Sequence, residues 1–269
     1  MLTSIVLTLV SETAATLPAE LGRANYAQTL ARVGQRDAHL AAALHAADGA
    51  KQVTCSGVMN GRRDGYNLHV RAGEAYDVRI TGLAAPVSDA LIAALVDAPP
   101  AIWSLGHHPF QVTGAYCDPD DHPWSGCISY RDLLAMHQGR SPARKITLDF
   151  VSPTAFRSNE MQMPVPLPGL VFGSLLDRWN AFSPLPLDPA VRPFAEGTVA
   201  ISRYRLESQV VPQKGGALRI GGVGTVTYTA LDDDRYALAA LNILADFAPY
   251  SGVGVQTATG MGQCRRVTT

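Results

Sequence analysis

The sequence of 269 residues has few lysines and few cysteines, and it contains no long hydrophobic run. No stretch of about 18 or more consecutive apolar residues occurs, so the sequence predicts no membrane-spanning helix. Residues 1–5 lack the basic charge that precedes the apolar core of a secretory signal peptide. We therefore expect a cytoplasmic protein without a membrane partner.

The four cysteines are widely spread along the chain. Cys117 and Cys127 flank three aspartates and His122, a combination that suggests a metal site. Their spacing fits no zinc pattern, however, and the chain has no second pair of closely spaced cysteines. We expect reduced, structurally inert thiols, no bound metal and no cofactor.

Positive charge is not in excess, because 22 lysines and arginines face 23 aspartates and glutamates, for a formal net charge of −1. Proteins that coat nucleic acid without sequence preference usually have a basic composition, so this balance argues mildly against that class. A net charge near zero is still compatible with a local row of basic side chains on the surface. Lysine occurs only at positions 51, 145 and 214, and arginine is the side chain suited to bidentate phosphate contacts.

The composition is that of a globular protein, with 47% hydrophobic and 17% charged residues. Apolar periodicity predicts an opening strand, helices over 22–33 and 38–47, and further strands and helices in an order that reads as β-α-β-β-α-β in each half. This pattern favours an α+β protein with two similar halves. Residues 138–143 are the most linker-like stretch, so we expect one domain over 1–138 and a second over 144–269.

A glycine-rich segment near the end of the sequence follows a predicted helix. Such a loop can expose backbone N–H groups to a phosphate, because glycine has no Cβ in the way. It contains no lysine and therefore no Walker motif, and it does not open a helix after an early strand as a dinucleotide fingerprint does. Two interpretations stay open, a phosphate-binding loop and a glycine-rich hairpin that closes a sheet. The glycines concerned are Gly252, Gly254, Gly260 and Gly262.

The segment PYSGVGVQTATGMGQ at 249–263 resembles the C-terminal glycine-rich loop of the CRISPR repeat-processing endoribonucleases of the RAMP superfamily. Further segments agree in the same order, so the resemblance spans nearly the whole chain. They are Leu44-His45 with Lys51 downstream, FVSPTAFR at 150–157, LVFGSLLDRWNAF at 170–182 and GGVGTVTY at 221–228. The resemblance implies two tandem ferredoxin-like (RRM-like) folds.

His45 and Lys51 form the centre of the catalytic hypothesis, with the histidine at the end of a predicted helix and the lysine at the start of the next strand. Histidine suits proton transfer to and from RNA because its ordinary pKa is near neutral, and lysine suits the charge that develops on phosphorus. The resembled family has a histidine at the His45 position, and some members have a lysine where Lys51 stands, together with a tyrosine. Leu30 occupies the tyrosine position, and Tyr26, one helical turn earlier, is the candidate third member.

Other interpretations of these residues stay open. A histidine at a helix end is often a stabilising cap, and an isolated lysine is often only a solvated charge. His39, in the same predicted helix, is a rival base.

RNA-binding residues are expected by resemblance in the glycine loop and by chemistry among the arginines. In the resembled family the glycine loop contacts RNA. The resemblance therefore implies RNA contact at Gly252, Gly254, Thr257, Gly260 and Gly262. The arginines that are candidates for backbone phosphates are Arg157, Arg203, Arg205, Arg219 and Arg265, with Arg62, Arg63 and Arg266 beside them. A solvated sheet face is the alternative for Arg203 and Arg205. Trp103 and Trp124 are candidates for base stacking, whereas Trp179 is expected in the core.

The resemblance implies a metal-independent endoribonuclease that cuts CRISPR repeat RNA into guide RNAs and leaves 2′,3′-cyclic phosphate and 5′-OH ends. The alternative is a catalytically inactive RNA-binding subunit of a CRISPR ribonucleoprotein. A nucleotide-binding enzyme built on the glycine loop is a third, unrelated hypothesis. The expected partner is the precursor repeat transcript, and an effector ribonucleoprotein complex and a homodimer are further candidate assemblies.

Overall fold

The computed structural model describes residues 1–158, 161–213 and 215–267 and shows a mixed α+β protein. The chain divides into two compact units, which are treated separately below. Unit 1 comprises Met1–Ile128 together with Ala258–Gly260, and unit 2 comprises Ser129–Thr257 together with the residues from Met261 onward. Among the described residues, no helix is both long enough and apolar enough to cross a membrane.

Unit 1 is built around one large antiparallel sheet with a small second sheet. Its helices are α1 (Gly22–Gly34), α2 (Ala38–Ala46) and α3 (Ala85–Leu95). Its strands are β1 (Leu2–Val10), β2 (Ala15–Pro18), β3 (Val53–Cys55), β4 (Arg62–Asp64), β5 (Asn67–Val70), β6 (Ala75–Gly82), β7 (Ile102–Leu105), β8 (His108–Tyr116) and β9 (Gly126–Ile128). The large sheet has the order β3-β6-β1-β8-β7, with β9 also paired to β1, and the small sheet has the order β2-β5-β4.

Strand β1 lies at the centre of the large sheet. The alternation of Ile5, Leu7 and Leu9 predicts a strand with one buried side. In the structure the other side is buried as well over the first part of the strand, since Leu2, Ser4 and Val6 are also inaccessible to solvent. β1 also pairs with β6 on one edge and with β8 and β9 on the other, so both of its edges are hydrogen-bonded.

Helices α1 and α2 follow the sequence prediction to within about one residue at each end. Asp37 caps α2, because its carboxylate accepts a hydrogen bond of 2.8 Å from the Leu40 N–H. Helix α2 ends at Ala46, and the chain reaches β3 after a short connection that contains Lys51. The cap therefore fixes where α2 starts, and with it the position of His45 in the last turn.

Unit 2 has a four-stranded antiparallel sheet of order β13-β14-β10-β15 and a separate β11-β12 hairpin. Its helices are α4 (Tyr130–Ala135), α5 (Pro168–Phe182), α6 (Val191–Thr198) and α7 (Arg235–Ser251), and Thr257–Thr259 forms a 3-10 turn at the edge of the unit. Its strands are β10 (Lys145–Thr154), β11 (Phe156–Ser158), β12 (Met161–Met163), β13 (Val199–Pro212), β14 (Leu218–Ala230) and β15 (Cys264–Val267).

The core of unit 2 contains an aromatic cluster that also explains where the unit begins. Trp179 is fully buried, as the sequence predicts, and its ring lies 5.0 Å from that of Tyr130 and 5.2 Å from that of Phe247. Because Tyr130 belongs to α4, this packing places α4 in unit 2. The change of unit occurs at Ser129.

Candidate functional site

The structure brings His45 and Lys51 together at the C-terminal end of α2. The His45 side chain is exposed in the last turn of the helix. The Lys51 ammonium donates a hydrogen bond of 3.1 Å to the His45 carbonyl oxygen and another to the Ala47 carbonyl oxygen. Lysine thus satisfies carbonyl groups that a helix end leaves without partners. The result is a cation held at the end of α2, in contact with the backbone of a residue whose imidazole is exposed.

This geometry bears on the alternative that His45 is only a helix cap. The hydrogen bonds at the end of α2 assign the capping of its carbonyls to Lys51 rather than to the His45 imidazole. His39 lies in the first turn of the same helix and is also exposed. It is about 120° away from His45 around the helix axis, so the two rings project in different directions.

Tyr26 reaches the same turn from α1. Its hydroxyl donates a hydrogen bond of 3.1 Å to the Leu44 carbonyl oxygen, the residue before His45. Burial raises the pKa of the Tyr26 phenol, and the nearby Cys55 thiol raises it further. A raised pKa keeps the phenol protonated, so Tyr26 positions the last turn of α2 as a hydrogen-bond donor. Leu30, the residue at the tyrosine position of the resembled family, packs against the core of unit 1.

Replacing Tyr26 with phenylalanine should lower the free energy of unfolding by about 0.5–1.5 kcal/mol, because the Leu44 carbonyl loses its side-chain donor. Chemical denaturation of the variant and the wild type measures this difference. Tyr66→Phe is the matched control, since Tyr66 lies in the same unit with a side chain that is 56% exposed. Equal stability changes in the two variants would show that the Tyr26 hydrogen bond does not hold the α1–α2 turn together.

The tip of the glycine loop lies at the start of α1 within unit 1. A Cβ on Gly22, the first residue of α1, would overlap the Gly260 Cα and the Thr259 carbonyl. Gly260 itself has φ of 107°, in the region that favours glycine, and a Cβ there would lie 3.1 Å from the Gly22 Cα. Two backbones therefore meet at this point with no room for side chains. The tip contacts the same helix that carries Tyr26.

The rest of the glycine loop is packed inside unit 2, between α7 and β15. The N–H of Gly252 donates to the Ala248 carbonyl, that of Gly254 to the Ser174 hydroxyl and that of Gly262 to the Pro153 carbonyl, at 2.9, 2.9 and 3.0 Å. The expectation that the loop exposes its N–H groups is wrong for these three glycines, because each N–H already has a partner. Thr257 is buried as well. For this stretch the structure shows a closing loop that needs glycine for close packing.

The candidate arginines differ in how accessible they are. Arg203 and Arg205 are exposed on β13 at the edge of the sheet of unit 2, and Arg157 is exposed on β11. Arg219 on β14 is half-buried, and its Nε atom is buried without a hydrogen-bond partner among the described residues. Arg265 on β15 is half-buried opposite Asp149, where burial raises the pKa of the carboxyl and Arg265 opposes part of that rise.

Tyr204 is a candidate RNA contact that the sequence analysis missed. It lies between Arg203 and Arg205 on β13, and it is 70% exposed. Successive side chains of a strand point to opposite faces, so the Tyr204 ring lies on the face opposite to the Arg203 and Arg205 guanidinium groups. An exposed aromatic ring can stack on a base of single-stranded nucleic acid. The signal in the sequence is an aromatic residue between two arginines in a strand, and its exposure follows from the edge position of β13.

The prediction that Trp103 and Trp124 stack on bases is wrong, because both side chains are buried. The Trp103 indole N–H donates to the Asn25 side-chain oxygen at 3.1 Å, and the Arg79 guanidinium lies 4.8 Å from the centre of the Trp124 ring. Their rings fill the interior of unit 1. The described residues also contain no group of three or more histidines, cysteines, aspartates or glutamates arranged to hold a metal ion.

Comparisons with known proteins find similarity to CRISPR-associated endoribonucleases. The family model described as CRISPR-associated endoribonuclease Cas6 matches residues 148–264. CRISPR-associated endoribonuclease Cas6 of Mycobacterium tuberculosis is 32% identical over 131 residues, which are 47% of this chain and 40% of the relative. The match thus spans less than half the length of that curated relative.

Two solved structures cover almost the whole chain. A Cas6 product complex, whose protein is from Thermus thermophilus, has a TM-score of 0.81 and 28% identity over 99% of this chain and 100% of that chain. A product complex of a second Cas6 has a TM-score of 0.73 and 30% identity over 99% of both chains. This chain belongs to the Cas6 family.

Membership in the Cas6 family accounts for the order in which the sequence motifs occur. Three of the motifs behind the resemblance, at 150–157, 170–182 and 221–228, lie within the matched range of the Cas6 family model, and so does the glycine loop at 249–263. His45, Lys51 and Tyr26 lie outside that range, in the half that the whole-chain structures also cover. The geometry at the end of α2 is therefore the main information about the catalytic hypothesis.

Proposed function

We propose that this chain is a metal-independent endoribonuclease that cuts CRISPR repeat RNA into guide RNAs. The observation that carries the proposal is the contact between the Lys51 ammonium and the backbone carbonyl of His45, a residue whose imidazole is exposed. Family membership supports the substrate class, and one related Cas6 has been solved both with a substrate mimic and as a histidine-to-alanine mutant. The expected location is the cytoplasm, where the repeat transcript is made.

The proposed reaction needs only groups that the end of α2 supplies. The ribose 2′-OH attacks the adjacent phosphorus and passes its proton to His45, and as the bond from phosphorus to the 5′-oxygen breaks, the imidazolium so formed gives a proton to the departing 5′-oxygen. Lys51 stabilises the extra negative charge on the phosphoryl oxygens in the transition state. The 5′-oxygen leaves with a proton, so the products carry a 2′,3′-cyclic phosphate and a 5′-OH. Tyr26 acts through the backbone of Leu44 and is a positioning residue.

We propose that both units are ferredoxin-like domains in tandem. Taking the main β-α-β-β-α-β elements in chain order, the sheet of unit 2 has the second strand next to the third, then the first and the fourth. The strands β3, β6, β1 and β8 of unit 1 follow the same order. In this scheme the domain with residues 1–138 carries the catalytic helix, and the domain with residues 144–269 carries the glycine-rich loop.

The proposed RNA-binding residues are arginines of unit 2 and, as a separate set, residues of the glycine loop. Arg157, Arg203 and Arg205 are accessible for phosphate contacts, and Arg219 and Arg265 are partly accessible. Gly260 belongs to the tip near α1, whereas the buried residues of the loop, Gly252, Gly254, Thr257 and Gly262, act by shaping the backbone around it. Specificity should come from the shape of a repeat hairpin or from unpaired bases, because the major groove of A-form RNA is hard to read.

The alternative function is an inactive subunit that holds RNA in a CRISPR ribonucleoprotein, alone or as a homodimer. One observation favours it. Leu30 replaces the family tyrosine and is part of the core, and the Tyr26 hydroxyl is already engaged with a backbone carbonyl. No phenol is therefore free at the proposed site in the conformation seen here. The alternative predicts RNA binding without cleavage.

Incubation of the purified protein with a labelled repeat transcript in EDTA tests the proposal. We expect one cut per repeat, with a 3′ end that resists polyadenylation until the cyclic phosphate is opened and removed, and a 5′ end that accepts phosphate from a kinase. Binding of the transcript without any cut, with or without added divalent metal, would support the inactive subunit instead. Cutting only with divalent metal would contradict the metal-independent reaction.

A further inference from the structure

A pocket in unit 2 has a lining that is unusually rich in cations and lies outside the candidate site. It is bounded by the segment between α4 and β10, by one face of α7 and by β15. Thr147, Pro142 and Val267 form part of its wall. The polar residues that line it are His137, Arg140, Lys145, Asn242, Asp246 and Arg266.

Asn242 fixes the wall of this pocket. Its side chain is almost fully buried, and its amide donates to the Ala143 carbonyl at 2.9 Å and to the Leu238 carbonyl at 2.8 Å. Its side-chain oxygen accepts a hydrogen bond of 2.8 Å from the Arg266 guanidinium. Every hydrogen-bonding group of the Asn242 side chain is thereby used, and the linker segment, α7 and β15 are held together around the pocket.

The charges in the lining do not balance. Asp246 is the one carboxylate among the described residues of the lining, and it lies 3.3 Å from the Arg266 guanidinium and 2.9 Å from His137 Nε2. Arg140 and Lys145 are exposed at the mouth, and neither occurs in a salt bridge found within the described ranges. Three permanent cations therefore face one carboxylate, and a concave site with such an excess concentrates anions.

The geometry points to a site for a phosphate group, and we propose that the pocket binds a phosphorylated ligand through Arg140, Lys145 and Arg266. A guanidinium has five N–H donors, and the bonds of Arg266 to Asp246 and Asn242 leave at least one N–H for a ligand. A dianionic phosphate matches the two positive charges that Asp246 does not offset. The ligand is either a free nucleotide or the terminal phosphate of an RNA, since both present a phosphate monoester that can carry two negative charges. The site belongs to unit 2, and its existence does not depend on catalysis at His45.

Titration calorimetry of the whole protein with inorganic phosphate at low ionic strength tests the proposal. We expect saturable binding to one site, which the double variant Arg140→Gln, Lys145→Gln weakens by at least about tenfold through loss of charge-assisted bonds. Arg131→Gln is the matched control, because Arg131 is an exposed arginine of unit 2 on α4 that does not line the pocket. It should leave phosphate affinity unchanged.

Asp246→Asn tests the proposal through an expected increase in phosphate affinity, which a loss of folded structure cannot produce. Removing the one carboxylate should strengthen phosphate binding a few-fold, whereas a damaged pocket would bind more weakly.

Competition then identifies the source of the phosphate. Displacement by a 5′-mononucleotide assigns a free nucleotide, and displacement only by an RNA oligonucleotide assigns an RNA phosphate. Absence of saturable phosphate binding, or equal weakening by Arg131→Gln, would overturn the proposal, whatever the outcome of the cleavage assay.

Discussion

His45→Ala is expected to slow the cleavage of repeat RNA by about 10²–10⁴-fold, because general acid–base catalysis contributes a factor of this size. Affinity for the uncut RNA should change little, since the exposed imidazole forms no hydrogen bond or ion pair with the part of the chain that the structure describes. Single-turnover cleavage and a filter-binding or anisotropy measurement on the same preparation separate the two effects. A large loss of rate at constant affinity assigns His45 to the chemical step.

His39→Ala is the matched control for this experiment, because it removes an exposed imidazole from the same helix. It should retain a rate near that of the wild type. If His39→Ala abolishes cleavage and His45→Ala does not, the rival base is the correct one. If both variants lose RNA affinity to the same extent, the histidines contribute to binding and the end of α2 is not the catalytic site.

Gly262→Ala should have the largest effect on stability of the substitutions considered, a loss of about 2–4 kcal/mol in the free energy of unfolding. Two causes add. The residue has φ of 68°, and a Cβ there would overlap the carbonyl oxygen of Val253, whose N–H donates at 2.8 Å to the Gly262 carbonyl. Chemical denaturation followed by circular dichroism measures the loss.

Gly139→Ala separates the two causes. Gly139 also has a positive φ, of 71°, but a Cβ there would meet no atom within 4 Å. This variant should lose only the conformational part, about 1–2 kcal/mol. Equal losses in the two variants would show that the overlap with Val253 is relieved at no cost, and the close packing assigned to the glycine loop would then be wrong.

The sequence is informative where a single local interaction decides the structure. Asp37 predicts the start of α2 because a carboxylate before an alanine-rich stretch satisfies N–H groups of the first turn. Trp179 lies on an apolar helical stripe, and the structure buries it as expected. The order of the motifs along the chain also predicts the family, because each motif is a contiguous run of residues that can be read directly from the sequence.

The sequence is less informative where contacts join distant segments. Trp103 and Trp124 could be assigned to a surface or to the core only by knowing that Asn25 and Arg79 approach them. The glycine loop could expose its N–H groups or use them, and the choice depends on partners such as Ser174 and Pro153, which are far away in sequence. The contact of Lys51 with the end of α2 likewise depends on the path of the connection to β3.

The most direct test of the proposed reaction is a single 2′-deoxy substitution in the repeat RNA, at the nucleotide immediately 5′ of the mapped cut. Attack by the 2′-OH is the step that the His45 and Lys51 arrangement is proposed to assist. The account predicts that the substituted RNA binds with unchanged affinity and is not cut. Cutting of this RNA at the same bond would contradict the account, because the nucleophile would then have to be water or a protein group.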